Sequence, residues 1–203
     1  MGYYIRILGT RNPNIDLDDI ISELINEGLN AKFNIDSSER PTNWTALNVA
    51  NSRGEMLCRI ERNRIIDGEI GKEELNEFKE EIKHCKPNSA VKWLDKYFDK
   101  IEVIYNFQLL DASLEDENFT IVSSIKSTIW AKTGGILQAD NEGFSNESGY
   151  HILWQFSDNA TGEWSMAVRN LFGKWTNFKM ELGDKKQREE FMKGNVPNGA
   201  IKI

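Results

Sequence analysis

A chain of 203 residues, 39% of them hydrophobic, is long enough to bury its own core as one large domain or two small ones without disulfide support. Its two cysteines, Cys58 and Cys85, lie far apart in the sequence, which predicts reduced thiols and a cytoplasmic location. The net charge of −7 argues against nucleic-acid binding, and no apolar stretch approaches the roughly 18 residues of a membrane span.

The beginning of the chain predicts the element order β-α-β-β-β. Residues 3–8 are rich in β-formers and are followed by turn residues, which predicts a strand. Apolar residues recur at helical spacing over 17–25, and Asp16 and Gly28 are placed to begin and end that helix. Three further strands are predicted, over residues 31–35, 45–50 and 55–66.

The next segment, residues 72–101, carries two apolar stripes at helical spacing. Pro87 separates the stripes, and proline inside a helix removes a backbone donor and clashes with the preceding turn. Asn88 or Ser89 can cap the second stripe, so we predict a pair of helices that lie on the sheet. A strand over 102–109 follows.

The acidic segment 111–118 is the best candidate for a domain boundary. It divides an α+β half, residues 1–113, from a half made of a helix and an antiparallel sheet, residues 114–203. Because this segment is short for a linker, we expect the two halves to pack against each other as one compact unit. The second half is predicted to open with a helix that Thr120 caps and that ends at Gly134-Gly135.

The rest of the second half alternates apolar and polar residues, which predicts an antiparallel meander. Its strands are centred on residues 150–157, 164–168 and 178–182, and a short charged helix over 184–193 follows. The fold class is therefore α+β: an N-terminal β-α-β-β-β layer with a helix pair, followed by a helix and a C-terminal antiparallel β-meander.

The segment 134–149 is predicted to be a loop that carries several side-chain oxygens. Hard cations such as calcium and magnesium bind such oxygens, although the spacing does not match an EF-hand loop. The alternatives are a solvated hairpin loop and a recognition loop that contacts a partner. If a metal binds here, the predicted ligands are Asp140, Glu142 and Glu147.

The nucleophiles and bases of the chain form no recognisable catalytic pattern. His84 and Cys85 are neighbours on a predicted helix and so point about 100° apart, which prevents a dyad. His151 alternates away from the apolar face of its predicted strand, so we expect an exposed or second-face histidine rather than a catalytic one. No paired-ligand spacing for zinc and no phosphate-binding or dinucleotide motif is found, so we predict no cofactor.

Six tryptophans are the other unusual feature of the composition. Most lie on apolar faces, where filling a core is the expected role. Trp44 and Trp175 differ, because each begins a predicted strand next to turn residues. We expect these two side chains to be partly exposed and to serve as interface anchors.

Two function classes follow from these observations. The first is a non-catalytic acidic protein-binding module, such as an immunity-type inhibitor of a basic partner, because inhibition requires only complementary shape and charge. The predicted binding residues are Asp140, Asn141, Glu142, Trp44 and Trp175. The alternative is a metal-dependent hydrolase or other small-molecule enzyme that uses the region 138–151, with His151 and Glu142 as catalytic residues.

The charge distribution favours the first class. The chain has 15 basic against 20 acidic residues up to residue 113, and 10 against 12 after it, so both halves are acidic. A basic protein partner is complementary to such a surface, whereas a nucleic acid is repelled by it.

Overall fold

The computed structural model of the protein describes residues 3–170 and 172–203. They form an α+β fold, as predicted, with five α-helices and ten strands in the described ranges. Contacts divide the chain into two compact units, each built from two separate segments: unit 1 comprises Met1–Lys72 and Ile101–Gly135, and unit 2 comprises Glu73–Lys100 and Ile136–Ile203. The predicted halves 1–113 and 114–203 cut across both units, and their packing as one compact unit stays a prediction.

Unit 1 contains five antiparallel strands in the spatial order β2-β3-β4-β5-β1. Ile5 of β1 and Ile60 of β4 both lie opposite Phe107 of β5, and Leu47 of β3 lies opposite Ile60. These apolar side chains therefore share one face of the sheet. The strands predicted for this part of the chain are confirmed: β1 (Tyr3–Gly9), β2 (Lys32–Ile35), β3 (Ala46–Ala50), β4 (Met56–Arg64) and β5 (Val103–Leu109).

Two helices complete unit 1, α1 (Leu17–Asn26) and α4 (Asp116–Thr133), and they pack against each other. Asp16 caps α1 as predicted, because its side chain accepts a hydrogen bond from the backbone N–H of Asp18. The predicted cap at Thr120 is wrong. The acidic segment of the predicted boundary forms a short 3-10 helix, Asp111–Leu114, and then enters the first turn of α4. The carboxylates of Asp116 and Glu117 in that turn interact favourably with the positive end of the helix dipole.

The helices of unit 2 include the predicted pair, α2 (Ile70–Glu81), which begins in unit 1, and α3 (Asn88–Tyr97). The break falls at Pro87 as predicted, and α3 begins directly after the proline without a side-chain cap. A third helix, α5 (Lys185–Met192), lies near the end of the chain. None of the helices in the described residues combines the length and apolar character that crossing a bilayer requires.

The strands of unit 2 form a hairpin, β6 (Ile136–Ala139) and β7 (Gly143–Ser145), and a three-stranded antiparallel sheet. That sheet has the order β10-β9-β8, with β8 (Glu163–Arg169), β9 (Trp175–Glu181) and β10 (Ile201–Lys202). A separate hydrophobic cluster forms here around Phe178 and Phe191.

The predicted strand over 150–157 is wrong, because the segment forms only isolated bridges. His151 bridges to Ser145 and to Met166, and Trp154 bridges to Lys86. Four consecutive residues of the segment, 151–154, are buried, so it has no solvent face of the kind that the alternating pattern predicted.

Candidate functional site

The predicted loop 134–149 contains a tight hairpin. Ala139 lies opposite Gly143 in the β6–β7 ladder, which places Asp140, Asn141 and Glu142 in the turn between the strands. Asn141 adopts a left-handed conformation with φ of 60°, which asparagine tolerates better than most residues. The three predicted binding residues are therefore adjacent at the tip of one hairpin.

Farther along the same loop, Asn146 binds the loop backbone and Glu147 lies near the phenol of Tyr97. The buried Asn146 accepts hydrogen bonds from the backbone N–H groups of Ser148 and Tyr150, at 3.0 and 3.1 Å. Burial and the nearby carboxylate of Glu147 raise the pKa of Tyr97 above its ordinary value. Within residues 3–170 and 172–203, no three His, Cys, Asp or Glu side chains are grouped to hold a metal ion, so the metal site stays a prediction.

His151 is buried, so of its two predicted positions, exposed or on the second face of a strand, the exposed one is wrong. Its Nε2–H donates to the backbone carbonyl of Glu142 at 2.8 Å, and its ring packs against Phe156 and Trp164. Burial lowers the pKa of His151 to about 4, although hydrogen bonds to the backbone of Glu142 and Leu153 act in the opposite direction. The contact joins His151 to the Glu142 backbone, and the hydrolase alternative, with His151 as a base, stays a prediction.

Both cysteines are free thiols. Cys58 is buried, and burial raises its pKa to about 12. Cys85 is half-buried, and its pKa is raised first by burial and then by the charge of Glu81. A thiol with a raised pKa forms little of the reactive thiolate at neutral pH, so these surroundings activate neither thiol as a nucleophile.

The two tryptophans predicted as interface anchors differ in exposure. Trp44 is buried in unit 1, where its indole N–H donates to the Ile15 carbonyl at 2.9 Å, so its predicted exposure is wrong. Trp175 is half-buried in unit 2, as predicted, and its ring contacts Trp93 at a centroid distance of 5.0 Å. The guanidinium of Arg169 lies 6.0 Å from the centroid of the Trp175 ring.

A groove of about 1200 Å³ lies in unit 2, where α3, α5, β8 and β9 supply its lining. Its apolar lining residues are Val168, Met192 and Val196. Its charged lining residues are Lys86, Arg169, Lys193 and Glu189.

A second cavity of about 450 Å³ adjoins the groove, because Ser89, Arg169 and Asn170 line both. Lys92 and Lys96 of α3 also line it, so we call it the lysine pocket. All of its charged lining residues are cationic. This cluster of positive charge lies in a chain whose net charge is −7.

The β8–β9 turn holds Arg169 in place. Asn170 accepts hydrogen bonds from the backbone N–H groups of Phe172 and Lys174, both at 3.0 Å, which stabilises the turn. Arg169 Nε donates to the carbonyl of Gly173 at 3.0 Å, and no other acceptor for its guanidinium is found among the described residues.

The lysines around the groove differ in their partners. Lys86 donates to Asn88 at 2.8 Å, and Lys193 forms an ion pair with Glu190 at 2.7 Å. Lys92 and Lys96 form no ion pair with any described residue. They are four residues apart on one helix, where neighbouring like charges destabilise the helix by a few tenths of a kcal/mol.

Sequence reasoning missed this site because its residues come from three distant parts of the chain. The spacing of Ser89, Lys92 and Lys96 along α3 is visible in the sequence, but Arg169 and Lys193 follow about 70 to 100 residues later. Comparison of the chain with protein-family models, with curated proteins and with solved structures gives no match.

Proposed function

We propose that this protein is a non-catalytic binding module whose groove in unit 2 holds a segment of a partner protein. The observation that carries the proposal is the groove itself. Its volume of about 1200 Å³ exceeds the roughly 300–1,000 Å³ of most small-molecule pockets. Apolar residues beside charged and amide side chains are the lining that recognises extended peptide segments.

One wall of the groove, α5, is held by a helix cap and by core packing. Asp184 caps α5 by accepting from the backbone N–H groups of Lys186 and Gln187, and Phe191 anchors the helix in the hydrophobic cluster with Phe178. A preformed site loses less conformational entropy on binding than a flexible one. This arrangement supports a groove that binds without rearrangement.

The experiment that tests the proposal compares partner binding before and after the groove is filled. Val196 is half-buried, lines the groove and packs against the hydrophobic cluster, so Val196→Trp should fill the groove. Thermal denaturation of the variant checks that the cluster stays folded. We expect the wild-type chain to retain one partner in stoichiometric amount during size-exclusion chromatography, and Val196→Trp to release it. The control is Ile25→Ser on α1, which should retain the partner. Equal recovery of a partner by Val196→Trp and the wild type would contradict the groove proposal.

A second candidate is an immunity-type inhibitor of a basic partner that acts through α1. This helix contains no basic residue, and it exposes Asp18, Asp19 and Glu23 together with Ile25, whose exposed fraction is 67%. Exposed carboxylates and an exposed apolar side chain on one helix are complementary to a basic surface with an apolar contact. The net charge of −7 supports the same candidate.

Charge reversal on α1 tests this second candidate. The double substitution of Asp18→Lys and Glu23→Lys should weaken the complex with a basic partner and reduce the dependence of its affinity on salt. Ile25→Ser should weaken the same complex. A recovered partner that is acidic, or that binds the reversed variant as tightly as the wild type, would argue against an inhibitor of this kind.

A further inference from the structure

We infer that the partner segment in the unit 2 groove is an acidic peptide, whose carboxylates bind in the lysine pocket while an apolar side chain contacts the adjoining apolar lining. This inference rests on the proposed function and specifies the chemistry of the ligand. The net charge of the chain predicts a basic partner, whereas this groove is inferred to bind an acidic one.

The first argument is the sign of the charges that line the lysine pocket. Lys92, Lys96 and Arg169 are the charged residues among its described lining. Elsewhere, lysines are neutralised by carboxylates within the same unit, as in the ion pairs of Lys79 with Asp99 and of Lys179 with Glu163. Three cations that line one pocket repel each other, and an acidic ligand reduces that repulsion.

The second argument is that Arg169 and Ser89 offer hydrogen-bond donors at the pocket. Arg169 is oriented by the Gly173 carbonyl and the Trp175 ring, and a planar guanidinium can bind a carboxylate through two parallel hydrogen bonds. Ser89 lines both cavities, and its buried hydroxyl has no hydrogen-bond partner among the described residues. A bound carboxylate would provide the acceptor that this hydroxyl lacks.

The third argument decides between an acidic peptide and a nucleic acid. A nucleic acid needs an extended basic stripe, whereas Glu189 interrupts the cations of the groove and the chain as a whole is acidic. Val168, Met192 and Val196 offer an apolar surface that suits a hydrophobic side chain, and a peptide can carry such a side chain beside its carboxylates. The mixed lining therefore favours a short acidic segment with an apolar anchor.

The test uses fluorescence anisotropy with the full chain and a set of labelled probes. The first probe is a short peptide of glutamates and leucines, and two matched peptides replace the glutamates by glutamine or by lysine. A single-stranded oligothymidylate and inorganic polyphosphate are the other probes. We expect the glutamate peptide to bind most tightly and its affinity to fall as salt is raised.

Substitutions then locate the binding. Lys92→Gln combined with Lys96→Gln should weaken the glutamate peptide roughly five- to tenfold, because two exposed charge contacts are lost. Lys185→Gln combined with Lys186→Gln is the matched control, since both lysines are exposed on α5 and line neither cavity. This control should leave the affinity unchanged. Equal weakening by the two double variants would overturn the assignment to the lysine pocket.

The outcomes distinguish a failure of the acidic-ligand inference from a failure of the proposed function. The glutamine or lysine peptide could bind more tightly than the glutamate peptide and lose that binding in Val196→Trp. This result would overturn the inference of an acidic ligand, while the groove would remain a peptide-binding site. Tighter binding of oligothymidylate or polyphosphate than of the glutamate peptide would overturn it in favour of a general polyanion. Binding of no peptide at all would overturn the acidic ligand, and the partner-recovery experiment would then decide the proposed function independently.

Discussion

Single residues in unit 2 show how close backbone approach creates a buried polar site. Gly143 has a φ of 115°, and a Cβ at this position would lie 2.6 Å from the carbonyl oxygen of Leu153. The same Cβ would lie 3.4 Å from His151 Nε2. The absence of a side chain at residue 143 thus lets the backbone and the imidazole meet, and the ring is buried with its N–H satisfied.

The buried imidazole predicts a pH dependence of stability. The pKa of His151 is about 4 in the folded chain against an ordinary value of 6.5, so between these values the unfolded chain binds a proton that the folded chain does not. The free energy of unfolding should therefore fall as the pH is lowered from about 6.5 to about 4, by up to about 3 kcal/mol from this residue. Chemical denaturation across this range measures the loss, and NMR titration measures the pKa.

The control for this prediction is His151→Gln. Glutamine cannot take up the proton but has an N–H group for the Glu142 carbonyl, so the variant keeps a donor while the titration disappears. Carboxylates titrate in both proteins, and the difference between the two pH profiles isolates His151. Identical slopes between pH 6.5 and 4.5 would show that His151 is not buried in its neutral form.

The close approach at Gly143 predicts a large cost for a side chain. Gly143→Ala should lower the free energy of unfolding by about 3 kcal/mol, because it combines an unfavourable φ with a clash against the Leu153 carbonyl. Gly54→Ala is the matched control: its φ is 90°, but a Cβ there meets no atom within 4 Å. Its cost should be about 1 kcal/mol, and denaturant titration compares the two. Equal costs would show that the clash at residue 143 relaxes.

At the scale of elements, the local patterns located most helices and strands, and the errors have identifiable causes. The breaks at Pro87 and Gly134 are backbone effects that single residues impose, so they were predictable. The start of α4 was misplaced by about one turn because Thr120 resembles a cap in sequence. In the structure its hydroxyl donates to the Asp116 carbonyl inside the helix.

The cap of α5 predicts how much the Asp184 side chain contributes to the stability of the fold. Asp184→Ala removes the acceptor for two backbone N–H groups and should lower the free energy of unfolding by about 1 kcal/mol. Asp67→Ala is the control, because its side chain is 96% exposed and only a 4.0 Å contact with Lys72 is lost. That change should stay within about 0.5 kcal/mol. Thermal denaturation of the two variants gives the comparison, and equal stability would argue against the cap.

At the scale of the whole molecule, each unit is built from two segments that are distant in the sequence. In unit 1, α4 contacts α1, β1 and β4. These three elements lie near the beginning of the chain, whereas α4 follows β5. In unit 2, Phe144 contacts Phe78 and Phe98, and Trp175 contacts Trp93. Both units therefore bury side chains from segments that are distant in sequence.

This arrangement predicts the behaviour of fragments cut at the acidic segment. The fragment 1–113 lacks α4, and the fragment 114–203 lacks α2 and α3, so each loses part of a core. We expect neither fragment to unfold cooperatively on its own when circular dichroism is followed against temperature, whereas the full chain does. Cooperative unfolding of either isolated fragment would instead show that this half folds as an independent domain.

The sequence by itself determined the α+β class, the five strands of unit 1, the Asp16 cap and the break at Pro87, because each depends on residues close together in the chain. Tertiary structure alone decided the burial of His151 and Trp44 and the union of Lys92, Lys96 and Arg169 around one pocket. Burial and charge clustering depend on which distant segments meet, and no local pattern of apolar or charged residues specifies those meetings.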